Sequence, residues 1–571
     1  MSVPKPQWRR LWPYFAMLFL LALLPRLYSA QTVGWDWDAP GSFTLVNYDE
    51  AGSCRAALQG FEYSTFIGRQ TITIASVLGA GPTPDIIGDA AAVKQYCHSP
   101  QHILVARTYS AVLGALTVIV LAALSLSALP GEPKVALTAG VLLAFSGFHI
   151  SESHSGTVDA ASIFFIYSFL TWMVWCVRRQ WSVALALSPL LLVAAVWTKY
   201  WVFAVFAYLA FVPRALWQFV SDGIEVRRLV VVALAICVVF GLVTNSDFQQ
   251  ARLYPLLALF YLVVPWQSIR RPMIAFWLLL PLLAFALTQI PLFAAYTTGS
   301  IESRFGAGYG AIGWHKWLRN LINVPVVLLV GLGLPACLFL PAGLRAITND
   351  ENNVRVWLCL LPVLFFALFM AFLAPVTYYR HYLALIPLAA LLAAIGFWRS
   401  GWSSRPLIVV LFFLWPALLA IDIELDYHRD PRIALRQWYE ENQPERVFHS
   451  FYVNPPAGRT AHRLFSPEFA RGDAATLRQA QYLILSENWY DTAFANELNG
   501  PLSSDLSRLI KTRPEYALFY RQALSGDSAY LHAETALDVS NFMPELLLHK
   551  YAYGTFQTFV GDIKILRVAD D

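Results

Sequence analysis

Apolar residues recur along the chain in runs long enough to cross a bilayer, separated by short polar segments rich in Arg, Lys and Pro. A helix rises 1.5 Å per residue, so a hydrocarbon core about 30 Å thick takes about 20 apolar residues, or somewhat fewer with polar ends. Runs at 11–29, 102–128, 135–150, 158–177, 182–198, 200–213, 229–244, 252–266, 272–292, 321–344, 354–374, 382–398 and 406–421 meet this condition. They predict a polytopic α-helical membrane protein of about 13 transmembrane helices. Only Lys199 and Tyr200 separate the runs at 182–198 and 200–213, so a re-entrant pair is the alternative there.

Two stretches break this rhythm. The segment 30–101 is too long for a connector, and loops of that length carry function or their own structure. Within it Glu50 to Phe61 reads as an amphipathic helix, and Gln70 to Leu78 is apolar but too short to cross, so both suit helices on a membrane surface. From 422 to 571 the chain is polar enough for a small soluble α/β domain. Arg446–Phe448, Tyr482–Leu485 and Asp562–Leu566 read as strands there, and Pro431–Asn442 as a helix with one apolar face.

Composition strengthens the membrane reading. At 57% hydrophobic and 14% charged, a chain of 571 residues has more apolar surface than one water-soluble core hides. The formal net charge of +4 is small and scattered, so no nucleic-acid partner is expected. Basic residues give the orientation, because Lys and Arg stay on the cytoplasmic side. With the N-terminus inside, the inner loops receive Lys134, Arg178 and Arg179, Arg214 with Arg227 and Arg228, Arg270 and Arg271, Arg345 and Arg355, and Arg399 with Arg405. An odd number of spans then places 422–571 on the periplasmic or extracytoplasmic side of a plasma membrane, the bacterial inner membrane. Lys5, Arg9 and Arg10 before the first run imitate a signal peptide, but Leu24-Pro25-Arg26-Leu27 interrupts a small-residue cleavage pattern, and a retained anchor is expected.

Cys176, Cys237, Cys337 and Cys359 fall within or at the ends of apolar runs, where a thiol behaves as a small hydrophobe. Cys54 and Cys97 share the outer loop and form the disulfide candidate if that side is oxidising. Cys97-His98 with His102 imitates a metal motif, but Pro100 breaks the helix that would align the histidines.

The main chemical signal is Asn47-Tyr48-Asp49-Glu50, adjacent carboxylates in the outer loop near the first span. Neighbours on a helix do not face each other, so one acid would face a cavity while the other holds the loop or meets a cation. A solvated helix start with Asp49 as the cap is the plain alternative.

Several segments, in order, resemble the GT-C superfamily of polyprenyl-phosphate-sugar glycosyltransferases, most closely its protein O-mannosyltransferase and aminoarabinose-transferase-like branch. Asp49-Glu50 stands where that branch has an Asp-Glu pair after its first span, and Phe61-Glu62-Tyr63-Ser64-Thr65-Phe66-Ile67-Gly68 is similar to the segment leading to its surface helix. Ala106-Arg107-Thr108-Tyr109-Ser110 through Gly114 resembles the start of its second span, with Ala106 in place of the usual glycine. His149 through Ser153-His154, Thr157 and Asp159 is similar to its next external turn. Thr198-Lys199-Tyr200 and Tyr379-Arg380-His381-Tyr382 with Pro387 also resemble family segments. The likeness covers about 10–215 well, the remaining membrane region loosely and the C-terminal domain only in character.

The resemblance implies a GT-C-like membrane domain over 1–421 and an inverting transfer of a mannose-like hexose or a pentose. The sugar would pass from a polyprenyl-phosphate carrier to an extracytoplasmic protein, lipid or polysaccharide. Asp49 and Glu50 would be the catalytic acids, with Asp49 drawing the proton from an acceptor hydroxyl. Arg107, Lys199 and Arg380 would meet the departing phosphate, each with snorkelling to headgroups as the alternative. His154, Asp159, Tyr200 and His381 would bind substrate or serve structure. A divalent metal ion is left open, with Asp49, His149 and His154 as candidate ligands, although no compact ligand spacing supports it; no other cofactor is expected. The loop 293–320 suits a substrate gate or a passive aromatic belt equally. A transporter or flippase of lipid-linked sugars fits the helix count as well, but no repeated halves are apparent and the polar residues gather at one face. An inactive envelope scaffold is the third alternative.

Overall fold

The computed structural model describes residues 8–35, 43–60, 64–179, 191, 194–195, 197–199, 314–348, 363–364, 367 and 379–449, and, in the C-terminal part, 453, 460–463, 475, 478–486, 522–523, 525–528, 530–538, 540–553 and 561–569. The expected spans at 200–213, 229–244, 252–266 and 272–292 lie outside these residues, as do most of the runs at 182–198 and 354–374 and of the loop 293–320.

The described chain is mostly helical. Helix α1 (Trp8–Thr32) enters the outer loop, which carries α2 (Gly52–Gln59), α3 (Thr65–Val77) and α4 (Ala90–Cys97). A bundle follows: α5 (Pro100–Ala128), α6 (Pro133–Ala144), α7 (Gly147–His154) and α8 (Asp159–Arg179). Later come α9 (Trp314–Leu332), α10 (Leu334–Cys337), α11 (Leu340–Thr348), α12 (Leu385–Arg399) and α13 (Pro406–His428). Four helices among the described residues are long and apolar enough to cross a membrane, or six if each of two bent pairs is one span. Large apolar side chains stay exposed on α1 (Trp12, Leu20, Leu24) and on α13 (Leu407, Val410, Ile421). Such outward apolar faces are compatible with an integral membrane protein.

Small residues let α5 occupy the middle of the bundle. Ala106, Ser110, Ala111, Gly114 and Ala115 are buried along it, the composition that permits close helix approach without a large apolar driving force. A Cβ at Gly114 would lie 2.3 Å from the Ser153 hydroxyl oxygen on α7, so only glycine admits that crossing.

One expected span, 135–150, is broken: α6 and α7 meet at 58°. The buried Arg26 of α1 supplies the reason. Its guanidinium donates to the carbonyls of Leu143 at 3.2 Å, Ala144 at 3.1 Å and Ala22 at 2.7 Å, and contacts His149 Nδ1 at 3.0 Å. Helix-end carbonyls away from water need such partners, and Ser146 restarts the helix by capping His149 N–H. A second break, 118° between α9 and the segment running through α10 and α11, turns on Gly333 at φ 77, a conformation that favours glycine.

Beyond α13 a small domain holds α14 (Pro431–Asn442), α15 (Pro544–Tyr553) and strands β1 (Arg446–His449), β2 (Thr460–Arg463), β3 (Tyr482–Ser486), β4 (Leu531–Leu537) and β5 (Ile563–Val568). The sheet order is β2-β1-β3-β5-β4, with β1 parallel to both neighbours and the β5 pairings antiparallel. Leu435, Trp438 and Tyr439 of α14 pack on Val447, Tyr482, Ile484, Ile563 and Ile565. The three expected strands and the expected α14 are present. Hydropathy ends the last span at Ile421, whereas α13 continues to His428.

Candidate active site

Asn47 starts the 3-10 turn Tyr48–Ala51 that carries the two acids. Its side chain accepts from Asp49 N–H at 3.0 Å, and Glu50 folds back to accept from Val46 N–H at 2.9 Å and Asn47 N–H at 3.5 Å. This reciprocal capping box makes Asn47 the cap and corrects the alternative that gave Asp49 that part. The Asp49 side chain is thereby free to point elsewhere.

Glu50 points inward. Its Oε1 accepts from Arg107 Nε at 2.7 Å and Gly156 N–H at 2.9 Å, and its Oε2 accepts from Arg107 Nη2 at 2.8 Å. Arg107 also donates to the carbonyls of Val33 at 2.5 Å and Thr44 at 3.1 Å. Both side chains are fully buried. Burial pushes the Glu50 carboxyl upward, but the charge and hydrogen bonds of Arg107 with the N–H groups of Gly156 and Val46 outweigh it, leaving Glu50 below its ordinary value. With every nitrogen of Arg107 donating and both Glu50 oxygens occupied, the pair fastens the end of α1, the outer loop, α5 and the α7–α8 turn together. In this geometry Glu50 and Arg107 hold each other and the surrounding backbone, so the part their contacts show is structural. Neither partner's assignment could be read locally, since they lie 57 positions apart.

Asp49 faces the other way and joins a chain of alternating charges. Its Oδ2 accepts from Arg380 Nη2 at 2.5 Å, Arg380 Nε lies 3.8 Å from Asp159 Oδ2, and Lys199 pairs with Asp159 Oδ1. The Asp49 side chain is 29% exposed and Asp159 only 1%, so the cluster opens at Asp49 and closes at Asp159. Four residues singled out from the sequence thus meet at one place. His381 is buried on the same turn as Arg380, Tyr379–Ala384, and Tyr200 lies outside the described residues.

Glu152 is the acid that sequence reading passed over. It sits on α7 within electrostatic range of Asp49, Asp159, Arg380 and Lys199, its Oε2 is buried without a hydrogen-bond partner, and no ion pair to it occurs among the described residues. Its position seven residues before Asp159, across the α7–α8 turn, was the available signal.

His154 lies beside a second polar group. Its Nδ1 is 3.4 Å from Glu424 Oε2 on α13, the Tyr427 ring meets it edge-on at 4.5 Å, and Ser29 of α1 donates to the same Glu424 oxygen. Thr32 and His428 meet at 3.0 Å. The end of α1, the end of α7 and the end of α13 therefore come together near the loop that holds Asp49. The metal set Asp49, His149 and His154 is not assembled: the three turn to Arg380, Arg26 and Glu424 respectively. No group of three candidate ligands occurs among the described residues.

A disulfide joins Cys54 to Cys97 with Cα atoms 5.7 Å apart, linking α2 to α4 over the small core of Leu45, Ala51, Val93 and Ile103. Cross-linking 43 residues apart removes about 4 kcal/mol of unfolded-state entropy in the chain-entropy treatment. Reduction is expected to speed proteolysis of the outer loop, read by limited digestion with and without reductant; equal digestion rates would contradict this.

The loop also has a pH signature. Burial, then the charges of Lys94 and Arg55, lower His98 from 6.5 to about 4 against a smaller opposing effect of Glu50. Since the unfolded chain binds that proton first, stability falls as pH drops from 6.5 towards 4. Glu50, also lowered, adds stability above the ordinary carboxylate range that is lost as pH falls through its lowered value. Melting of the solubilised protein is expected to drop between about pH 7 and about pH 4.5, with His98→Asn flattening the upper part of that decline.

No family model matches this chain, and no curated protein matches it.

Proposed function

We propose that this chain is an integral membrane glycosyltransferase that moves a sugar, with inversion, from a polyprenyl-phosphate carrier to an acceptor on the outer face. The reading includes about thirteen spans, a cytoplasmic N-terminus and an extracytoplasmic C-terminal domain. The observation that carries it is the Asp49–Arg380–Asp159–Lys199 cluster, two cations and two carboxylates from four separate segments at the end of the bundle beside the outer loop. The ordered segments that resemble the GT-C glycosyltransferases are its second support.

In this reading the donor phosphate seats on Arg380 and Lys199, which places charge where the leaving group develops it. Drawing Arg380 to the phosphate loosens its hold on Asp49. The Asp49 carboxylate then takes the acceptor hydroxyl proton as that oxygen bonds to the anomeric carbon. The bond from that carbon to the phosphate oxygen breaks, its electron pair leaves with the polyprenyl phosphate, and the proton passes from Asp49 to water. Arg380→Ala tests the phosphate assignment. Transfer from polyprenyl-phosphate-mannose or a polyprenyl-phosphate pentose is expected to need a much higher donor concentration, and an unchanged donor dependence would remove Arg380 from the site.

A further inference from the structure

The C-terminal domain returns to the helical bundle through α15, at a depth that its partners on α13 measure. Asp422 Oδ2 accepts from the N–H groups of Phe542 at 3.0 Å and Met543 at 2.7 Å. One turn further on, Glu545 Oε1 accepts from Trp415 Nε1 at 2.7 Å and from Leu334 N–H at 2.9 Å, the first residue after the Gly333 break. Trp415 stands about two turns, roughly 10 Å, from Asp422 along α13, toward the middle of its apolar stretch. The segment from Phe542 therefore descends beside α13 rather than resting on the end of the bundle.

The two faces of this segment differ. Met543 and Leu546 are buried in the same apolar core as α5, α12 and α13. Phe542, Leu547 and Leu548 are 53%, 49% and 51% exposed. The elements that hold it also turn apolar side chains outward: Leu334, whose N–H meets Glu545, and Leu414 and Ile421, the residues before Trp415 and Asp422 on α13. In a chain whose apolar helices lie in a bilayer, these side chains stand at the depth on α13 where Leu414 and Ile421 face lipid.

We propose that α15 is a membrane-embedded helix of the C-terminal domain, with Phe542, Leu547 and Leu548 against the acyl chains of one leaflet. The domain is then held to the bilayer by its own helix as well as by α13. Apolar both where it packs on the core and where it faces outward, this segment has the character of a helix buried between protein and lipid. The inference rests on the membrane reading of the bundle and is independent of which reaction the protein performs.

Depth-dependent quenching tests it. With Cys176, Cys237, Cys337 and Cys359 replaced by Ala and the disulfide kept, a bimane label is placed at Leu548→Cys, or at Phe542→Cys if the first variant does not fold, in lipid nanodiscs. Leu414→Cys on α13 serves as the lipid-facing reference and Tyr530→Cys, 36% exposed beside the sheet, as the aqueous one. Brominated phosphatidylcholine is expected to quench the α15 label as it does the Leu414 label, with iodide quenching several-fold weaker than at Tyr530. Iodide quenching equal to that at Tyr530 without a bromolipid effect would overturn the proposal. Protection from both quenchers would also overturn it, by placing another protein surface or a second copy over the helix.

Discussion

Replacing Asp49 with Asn is expected to lower sugar transfer by about two to four orders of magnitude while leaving the amount of protein in the membrane unchanged. The substitution keeps the shape and removes the carboxylate that receives the acceptor proton under the proposed function. Little stability is at stake, because the Asp49 side chain is 29% exposed and the capping of its turn belongs to Asn47 and Glu50. Partly exposed ion pairs contribute about 0–1 kcal/mol. Transfer by Asp49→Asn membranes at the wild-type rate would exclude Asp49 as the base.

The opposite pattern is expected for Arg107→Ala. Removing one partner of a buried ion pair leaves the other charged and unpaired, which costs about 3–5 kcal/mol. Here Glu50 would lose two of its hydrogen bonds, and the carbonyls of Val33 and Thr44 would lose their donor. The expected result is a marked fall in melting temperature in detergent and in membrane level. A variant with wild-type melting and level but no transfer would return Arg107 to the substrate. Together the two substitutions separate adjacent acids by role: Asp49 through rate, Glu50 through its partner's effect on folding.

Among the described residues hydropathy recognised α5, α12 and α13 because each is carried by a long apolar run. It could not see the break between α6 and α7, since the group that satisfies the freed carbonyls is Arg26 on another helix. Nor could it follow α13 past Ile421. Asp422, Glu424 and Asp426 lower the local hydropathy, yet Asp422 accepts from backbone N–H groups of the C-terminal domain and Glu424 meets Ser29 and His154. In the sheet, β3 is buried throughout and stood out, whereas β4, Leu531–Leu537, is exposed at most positions and lacks an apolar alternation.

The site was legible as a set of residues but not as a set of pairs. Asp49 stood out as half of an acidic pair in the outer loop, and Asp159, Lys199 and Arg380 through segments that resemble the GT-C glycosyltransferases. Their pairing depends on how distant segments meet, and Arg107 shows the consequence: by position it resembles Lys199 and Arg380, yet its partner is Glu50. Glu152 was hidden because its one local cue, Asp159 seven residues on, does not separate it from an ordinary helix-end acid. Its neighbours Asp159, Lys199 and Arg380 reach it only through the fold. Glu152→Gln, with activity followed against pH, is expected to shift the pH profile of transfer rather than the protein level. An unshifted profile would assign Glu152 to structure.

The most direct measurement compares the sugar-bearing species of the envelope, glycoproteins, glycolipids and polysaccharides, by mass spectrometry. The comparison needs cells lacking this protein, cells restored with the wild-type chain and cells restored with Asp49→Asn. The expected result is a species that gains one sugar only with the wild-type chain, and accumulation of its unmodified acceptor with Asp49→Asn. An identical set of species in all three, with the protein present at equal level in the two restored strains, would contradict it.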